Sequence, residues 1–328
     1  MEQEVGTASV DGTQGAVKQT QTFAVTTTMD DLPAEIVWTI LREKVDRVDR
    51  VACRRVSRSW RQVLAPGRRT KGERRGDGGR GGDGRWTGVY MVAVAREGWT
   101  GVMRWARSEG CPWGSGVCAE AARRGHLETV KWARENGCPW NPGTCMAAAG
   151  GGHLEVLKWA QANGCPLNAL TCAYAALGGH LEVLRWAREK GCEWDIFTCI
   201  HAAKGGHLDV LIWARTNGCP WNACVCVYAA MGGYLEVLKW ARASGCPWDR
   251  RTCTGAAEGG HLEVLRWARE NGCPWDEDTC AMAADWGHLE VLKWSRANEC
   301  PWDARTCANA ARNGHVEVLE WARANGCP

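Results

Sequence analysis

The chain has 328 residues, 40 basic and 37 acidic side chains, and a net charge of +3. No apolar run approaches the roughly 18 residues of a membrane helix, and the opening Met-Glu-Gln-Glu-Val lacks the features of a signal peptide. We therefore expect no membrane span and no secretory leader.

The first 65 residues divide into a tail and a small helical module. Residues 1–29 are rich in Thr and Gln and poor in apolar side chains, which predicts a disordered tail. Residues 30–65 are predicted to form helices, because Asp30 or Asp31 can cap a first turn that contains Pro33. Ile36 and Ile40 then recur at helical spacing.

Residues 32–64 resemble an F-box. The matching elements are L-P-x-E-I at 32–36, I-L at 40–41, and V-S-R-S-W-R-x-x-L at 56–64. The resemblance implies docking onto the Skp-type adaptor of a cullin–RING ubiquitin ligase. The contact residues that it implies are Leu32, Pro33, Ile36, Ile40, Leu41, Val56 and Trp60. The alternative is a helical cap that shields one end of the repeats that follow.

Residues 66–85 separate this module from the rest of the chain. They contain eight Gly and have a charge of +4, from seven basic and three acidic side chains, which predicts a flexible linker. An Arg/Gly segment can also contact RNA phosphates. We do not expect nucleic acid as a partner, because residues 86–328 sum to −1 and offer no continuing basic track.

Residues 86–328 are nine consecutive units of 27 residues without an insertion. A Trp followed by Ala or Ser and then a polar residue recurs at every 27th position from Trp105 to Trp321, and a Cys recurs likewise from Cys111 to Cys327. A fixed period of this length predicts a solenoid. We number the units 1 to 9, unit 1 beginning at Trp86 and unit 9 at Trp302.

Each unit has the start and stop signals of two short helices. An Asn or Asp follows the first residue in seven units, with Pro142 directly after Asn141 in unit 3, which predicts an N-cap. Glycines close the first helix before His153, and a Gly with a following Pro closes the second. The second helix is apolar on most of its circumference, so we expect its Trp to be buried against neighbouring units.

The pattern T-C-x-x-A-A-x-x-G-H-L-E-V-L-K-W resembles the helical part of ankyrin repeats. Thr-Cys replaces the usual T-P-L-H start, and 27 residues leave no room for a hairpin between units. We therefore predict an all-α fold: an F-box-like module, an Arg/Gly linker and an α-solenoid of nine ankyrin-like helix pairs, with no strand.

The cysteines follow the period, since 17 of 19 occupy two repeated positions and only Cys53 and Cys224 do not. A zinc site would need closer pairs, and no C-x-x-C occurs. We expect small buried thiols and no metal or other cofactor, with a redox or metal ladder as the alternative. Many unpaired thiols favour a reducing compartment, the cytoplasm or the nucleus.

Three positions vary from unit to unit while their neighbours are constant. Counted from the first residue of a unit as zero, they are positions 3, 7 and 10, which share one side of the first helix and predict an outward face. Units 4 to 6 place apolar and aromatic side chains there. These candidate target-binding residues are Leu170, Tyr174, Leu177, Phe197, His201, Lys204, Cys224, Tyr228 and Met231. The alternative is that they only cover the seams between units.

The sequence as a whole predicts a substrate-recruiting adaptor of an F-box-type ubiquitin ligase, with a protein target held by the variable positions. The alternative is a non-enzymatic interaction scaffold whose N-terminal helices only cap the array. We expect no catalytic residue, because catalysis needs convergent titratable groups that break the repeat.

Overall fold

The nine units form nine consecutive pairs of antiparallel helices. A computed structural model describes residues 88–108 and 110–328, in which every regular element is an α-helix. The predictions for residues 1–85 lie outside the described residues. No helix from residue 88 onward has the length and apolar character needed to cross a membrane.

Each unit contributes a first and a second helix, which we number in chain order. The first helices are α1 (Gly88–Glu97), α3 (Ser115–Arg123), α5 (Pro142–Gly150), α7 (Ala169–Leu177), α9 (Ile196–Gly205), α11 (Cys224–Met231), α13 (Arg250–Glu258), α15 (Glu277–Asp285) and α17 (Ala304–Asn313). The second helices are α2 (Thr100–Ser108), α4 (Leu127–Glu135), α6 (Leu154–Ala162), α8 (Leu181–Glu189), α10 (Leu208–Thr216), α12 (Leu235–Ala243), α14 (Leu262–Glu270), α16 (Leu289–Ala297) and α18 (Val316–Ala324).

The first helices begin where the sequence predicts their caps. The side chain of Asn141 accepts a hydrogen bond from the backbone N–H of Gly143 at 2.9 Å, with Pro142 at the first helical position. Asn168 forms a capping box with Thr171. Such caps satisfy backbone donors that a helix start leaves open, and they fix the direction in which each unit begins.

The turn between the two helices of a unit depends on a glycine and on the next unit's histidine. Gly152 has φ of 77°, and a Cβ there would lie 2.6 Å from the ring of His180. The Nε2 of His180 lies 3.2 Å from the carbonyl oxygen of Gly150 in the preceding unit. The histidine therefore joins adjacent units, and Tyr234 occupies the same place in unit 6.

The core lies mainly between the first helices. First helices of neighbouring units pack closely, whereas second helices of neighbouring units have sparse contacts. Ala148, Ala149 and Cys145 of α5 are fully buried, as is Leu157 of α6. Small residues on the first helices thus set the close spacing of the array.

The prediction of buried tryptophans needs correction. Trp132 and its counterparts in later units are only half-buried, and each except Trp186 stacks edge-on against the Trp that begins its own unit. Trp113 and Trp132 have ring centroids 5.5 Å apart, and the guanidinium of Arg107 from the preceding unit lies 4.3 Å from the Trp113 centroid. Core space is taken by the smaller Leu, Val, Ala and Cys side chains, which leaves the indoles along an outer edge.

This stack of one Arg and two Trp recurs at seven junctions. The others are Arg134–Trp140–Trp159, Arg188–Trp194–Trp213, Arg215–Trp221–Trp240, Arg242–Trp248–Trp267, Arg269–Trp275–Trp294 and Arg296–Trp302–Trp321. At the junction into unit 4, Gln161 replaces the Arg and Leu167 replaces the first Trp. A shallow surface depression lies beside Leu167.

Candidate functional site

Positions 3, 7 and 10 of the first helices form a continuous column along the array, which we call the variable face. Contacts between neighbouring units establish the column: Arg312 at position 10 of unit 9 bonds to Asp285 at position 10 of unit 8, at 2.6 Å. At the other end, Arg96 at position 10 of unit 1 bonds to Glu120 at position 7 of unit 2.

Position 7 does not point outward in every unit, which corrects the sequence prediction. Glu120 is only 7% exposed, and Gly255 is buried so closely that a Cβ would lie 2.9 Å from the carbonyl oxygen of Val227. Position 7 lies on the seam with the preceding unit. A small residue ends within the seam, whereas a long side chain such as that of Tyr174 extends out of it, so both are tolerated.

The side chains that the sequence selected in units 4 to 6 are brought together, and we call them the aromatic patch. Its members are Leu170, Tyr174, Leu177, Phe197, His201, Lys204, Cys224, Tyr228 and Met231. Phe197 is 48% exposed and Tyr174 is 38% exposed. Leu170 and Lys204 are also exposed, and the remaining members are half-buried. None is enclosed between helix pairs, so the patch is one surface of partly exposed apolar groups.

Ring contacts run across three units of the aromatic patch. The ring centroid of His201 lies 6.0 Å from that of Tyr174 in an edge-on arrangement and 6.2 Å from that of Phe197. The Nζ of Lys204 lies 5.6 Å from the centroid of Tyr228 in the next unit. Edge-on aromatic contacts and cation–π contacts favour one arrangement of these side chains.

His201 sits at the centre of the aromatic patch. Its Nδ1 lies 3.3 Å from the carbonyl oxygen of Ala173, so this nitrogen has the proton and donates in the neutral ring. Burial is the main cause that lowers the pKa of His201 below 6.5, and the nearby ammonium of Lys204 adds to the shift. The patch is therefore apolar near neutral pH, with Lys204 as its cation.

Charged side chains on the variable face of units 7 to 9 largely neutralise one another. Arg305 bonds to Asp278 of unit 8 at 2.6 Å and to Asp303 of its own unit at 2.8 Å. Arg251 forms a bidentate pair with Asp249, in which Nε donates to Oδ1 at 3.1 Å and Nη2 donates to Oδ2 at 2.8 Å. These arginines are exposed and also form ion pairs within the array. Trp286, 56% exposed, stands beside them.

A cluster of arginines around Glu120 was missed by the sequence prediction. Glu120 accepts hydrogen bonds from Arg96 at 2.8 Å and from Arg123 at 2.5 Å, and Arg124 lies 3.9 Å away. Burial acts to raise the pKa of Glu120, but the bonds from Arg123 and Arg96 outweigh it and hold that pKa below its usual value. The signal available in the sequence was an acidic residue at position 7 followed by two consecutive arginines.

The repeated cysteines lie inside the array. All 18 cysteines in the described part of the chain are free thiols, and only Cys224, Cys307 and Cys327 are not fully buried. Burial raises the pKa of Cys111 to about 11, which keeps its thiol protonated at neutral pH. Among the described residues, no three His, Cys, Asp or Glu side chains are placed to hold a metal ion.

The predicted ligase-adaptor contacts, from Leu32 to Trp60, fall outside the described residues. In this region the family model described as F-box-like matches residues 29–66. Recognition of an F-box-like segment from the residues alone is thereby confirmed.

Comparisons of the whole chain add little. No curated protein matches it. Among solved structures, the ankyrin repeat domain of human ASB11 is similar with 18% identity and a TM-score of 0.40, over 48% of this chain and 84% of that one. At that TM-score the likeness adds nothing to what the helix pairs themselves show. The chain combines an F-box-like segment with an all-helical repeat array.

Proposed function

We propose that this protein is a substrate-recruiting adaptor of a cullin–RING ubiquitin ligase of the F-box type. The observation that supports it is the F-box-like match at residues 29–66, placed ahead of an array that displays a clustered aromatic patch. The mechanism is proximity: one end of the chain binds the ligase adaptor and the other holds the target, so their effective concentration rises without any chemistry by this chain.

The ligase end of the proposal is tested with purified components. We expect the full chain to form a stable complex with a Skp-type adaptor on size-exclusion chromatography. Leu32→Ala with Pro33→Ala should abolish the complex, because these residues lie in the F-box-like segment. Thr39→Ser within the same segment is the matched control and should bind normally. If the unaltered chain does not bind the adaptor, the alternative of an interaction scaffold with a helical cap is favoured.

The target end is tested on the aromatic patch. Tyr and other aromatic side chains are frequent anchors of binding energy when they cluster on a surface. We expect a chain with Tyr174→Ala, His201→Ala and Tyr228→Ala to lose its targets in a proximity-labelling experiment while its helicity is unchanged. Trp286→Ala is the matched control, since Trp286 is exposed outside the patch.

The same labelling experiment with residues 31–64 deleted separates the two ends. The deletion should retain the labelled targets and lose the ligase components. Identical labelled sets for the triple variant and the unaltered chain would contradict the proposed target site. The 18 free thiols of the described part suit a reducing compartment, so we place this function in the cytoplasm or the nucleus.

A further inference from the structure

The variable face has an uneven distribution of charge. Arg123 on the variable face of unit 2 and Arg124 directly after it keep 53% and 54% of their side chains exposed, and both share the single carboxylate of Glu120 with Arg96. In units 7 to 9, by contrast, each arginine of the face has its own carboxylate at hydrogen-bond distance. Apart from Lys204 of the aromatic patch, the cations near this face that have no carboxylate of their own therefore lie at unit 2.

Unit 3 joins this positive end to the aromatic patch. Its variable positions hold Gly143, Ala147 and Gly150, the smallest set in the array. A Cβ at Gly151 would lie 2.3 Å from the carbonyl oxygen of Arg123, and one at Gly150 would lie 3.5 Å from the Cβ of Tyr174. The face is thus continuous from the arginines, across a stretch without large side chains, to the first tyrosine of the aromatic patch.

The unit beyond the opposite end of the aromatic patch adds a carboxylate, since Arg251 of that unit is already paired with Asp249. Glu258 occupies position 10 of unit 7, directly after Met231 of unit 6 in the column. An acidic group of a partner is repelled there and attracted at unit 2, where Arg123 and Arg124 lie. Charge complementarity between surfaces fixes the direction in which a partner binds.

From this arrangement we propose that the target is recognised through one extended segment that has acidic side chains at one end and aromatic or aliphatic side chains at the other. The proposal rests on the aromatic patch being the target site, as proposed above. The acidic end contacts Arg123 and Arg124, the backbone crosses unit 3, and the apolar end covers Tyr174, Phe197 and Tyr228.

The spacing of the units sets the length of the segment. Units 2 and 4 are two repeats apart, about 20 Å at ordinary helix packing distances. An extended chain spans about 3.3 Å per residue, so about six residues separate its acidic and apolar ends.

The test is a selection of random 16-residue peptides, displayed on phage, against the immobilised full chain. We expect enriched peptides to have two or more Asp or Glu residues about six positions from an aromatic or aliphatic pair. Binding of these peptides, measured by fluorescence anisotropy, should weaken as salt is raised, because exposed charges are screened.

Arginine substitutions then test whether the acidic end of the peptides contacts unit 2. Arg123→Gln with Arg124→Gln should weaken the selected peptides about tenfold, since two exposed ion pairs are lost. Arg185→Gln with Arg266→Gln on the second helices makes the same change in net charge and should leave affinity within about twofold. A second variant, Arg124→Glu alone, changes one exposed cation of unit 2. It leaves intact the two shorter hydrogen bonds of Glu120, which come from Arg96 and Arg123.

Each outcome decides the proposal. Selected peptides without acidic enrichment, acidic peptides that the Arg123/Arg124 variant binds equally well, or no enrichment at all would overturn it. Apolar peptides that depend on Tyr174 but not on the arginines refute the acidic end and leave the proposed target site standing. Failure of the full chain to bind the Skp-type adaptor, with acidic peptides selected as expected, refutes only the ligase role.

Discussion

Single residues at the ends of the second helices show how closely the repeat is tied to backbone conformation. Gly137, Gly164 and their counterparts have φ near 80°, and a Cβ at these sites would meet nothing within 4 Å. Glycine is therefore needed there only for its left-handed backbone and not for space. Unit 8 departs from the rule, because Glu299 adopts φ of 65° at the same place. A side chain in that conformation is strained.

Replacing Glu299 with Gly should stabilise the protein. Relief of the left-handed strain outweighs the greater freedom of the unfolded chain, so we expect the free energy of unfolding to rise by about 1 kcal/mol. Urea denaturation followed by circular dichroism measures the change. Glu299→Ala is the control, because it keeps the Cβ and therefore the strain. An equal gain from the alanine variant would show that backbone conformation is not the cause.

His180, which joins units 3 and 4, links stability to pH. Burial lowers the pKa of His180 below the 6.5 of an unfolded chain. Below pH 6.5 the unfolded state therefore binds protons first, so the stabilising contribution of the neutral ring is present above 6.5 and lost as the pH falls toward the folded pKa. We expect the urea midpoint to decline from pH 7 to pH 5.5.

His180→Tyr should reduce that decline, since the tyrosine at position 234 already fills the equivalent place in unit 6. His201, whose pKa is also lowered, remains in this variant and preserves part of the pH dependence. An unchanged slope of midpoint against pH in the His180→Tyr variant would count against the linkage.

At the scale of helices and turns, most of the fold could be predicted from the sequence because its signals are local. Asn141 and Asn168 cap the first helices as expected, and the period alone predicts that neighbouring units stack. The position of the tryptophans could not be predicted. Hydrophobicity places an indole inside, but Ala148 and Leu157 already fill the narrow space between helices, and only packing geometry reveals this.

The interrupted stack at unit 4 offers a stability test at the same scale. Gln161→Arg with Leu167→Trp restores the pattern found at the other junctions, and the depression beside Leu167 leaves room for the indole. We expect a gain of about 1–2 kcal/mol in the free energy of unfolding, from one aromatic pair with Trp186 and one cation–π contact.

The two changes in unit 4 should also be coupled. A double-mutant cycle compares Gln161→Arg and Leu167→Trp alone with their combination, using urea denaturation. The arginine alone has no indole to stack on, so it should contribute almost nothing. Strict additivity would mean that the cation–π contact between the two new side chains contributes nothing.

Across the whole molecule, the variable positions could be found from the sequence because the constant residues around them act as a reference. The exposure of each side chain could not be predicted in this way. Glu120 and Tyr174 share position 7, yet only the tyrosine side chain extends out of the seam between units. The arginine cluster at unit 2 was hidden for a similar reason. The cluster forms through contacts between side chains of neighbouring units, and those contacts depend on how the units stack.

The buried thiols report on the stability of the array as a whole. In a linear array each unit is stabilised by its neighbours, and an end unit has fewer of them. Thiols react as thiolates, so burial and a raised pKa both protect them. We expect iodoacetamide to label the half-buried Cys224, Cys307 and Cys327 first and the buried Cys172 and Cys199 last, as measured by peptide mass spectrometry.

Low concentrations of urea should then accelerate labelling of Cys300 in unit 8 before that of Cys199 in unit 5, because the units nearer the end open at a smaller free energy. The protein unfolded in high urea is the control and should label these cysteines at similar rates. Equal labelling of both buried thiols in low urea would mean that the units unfold together. In that case the coupling free energy between neighbouring units exceeds the difference in stability between end units and central units. An acidic target held across units 2 to 6 would then stabilise the entire array.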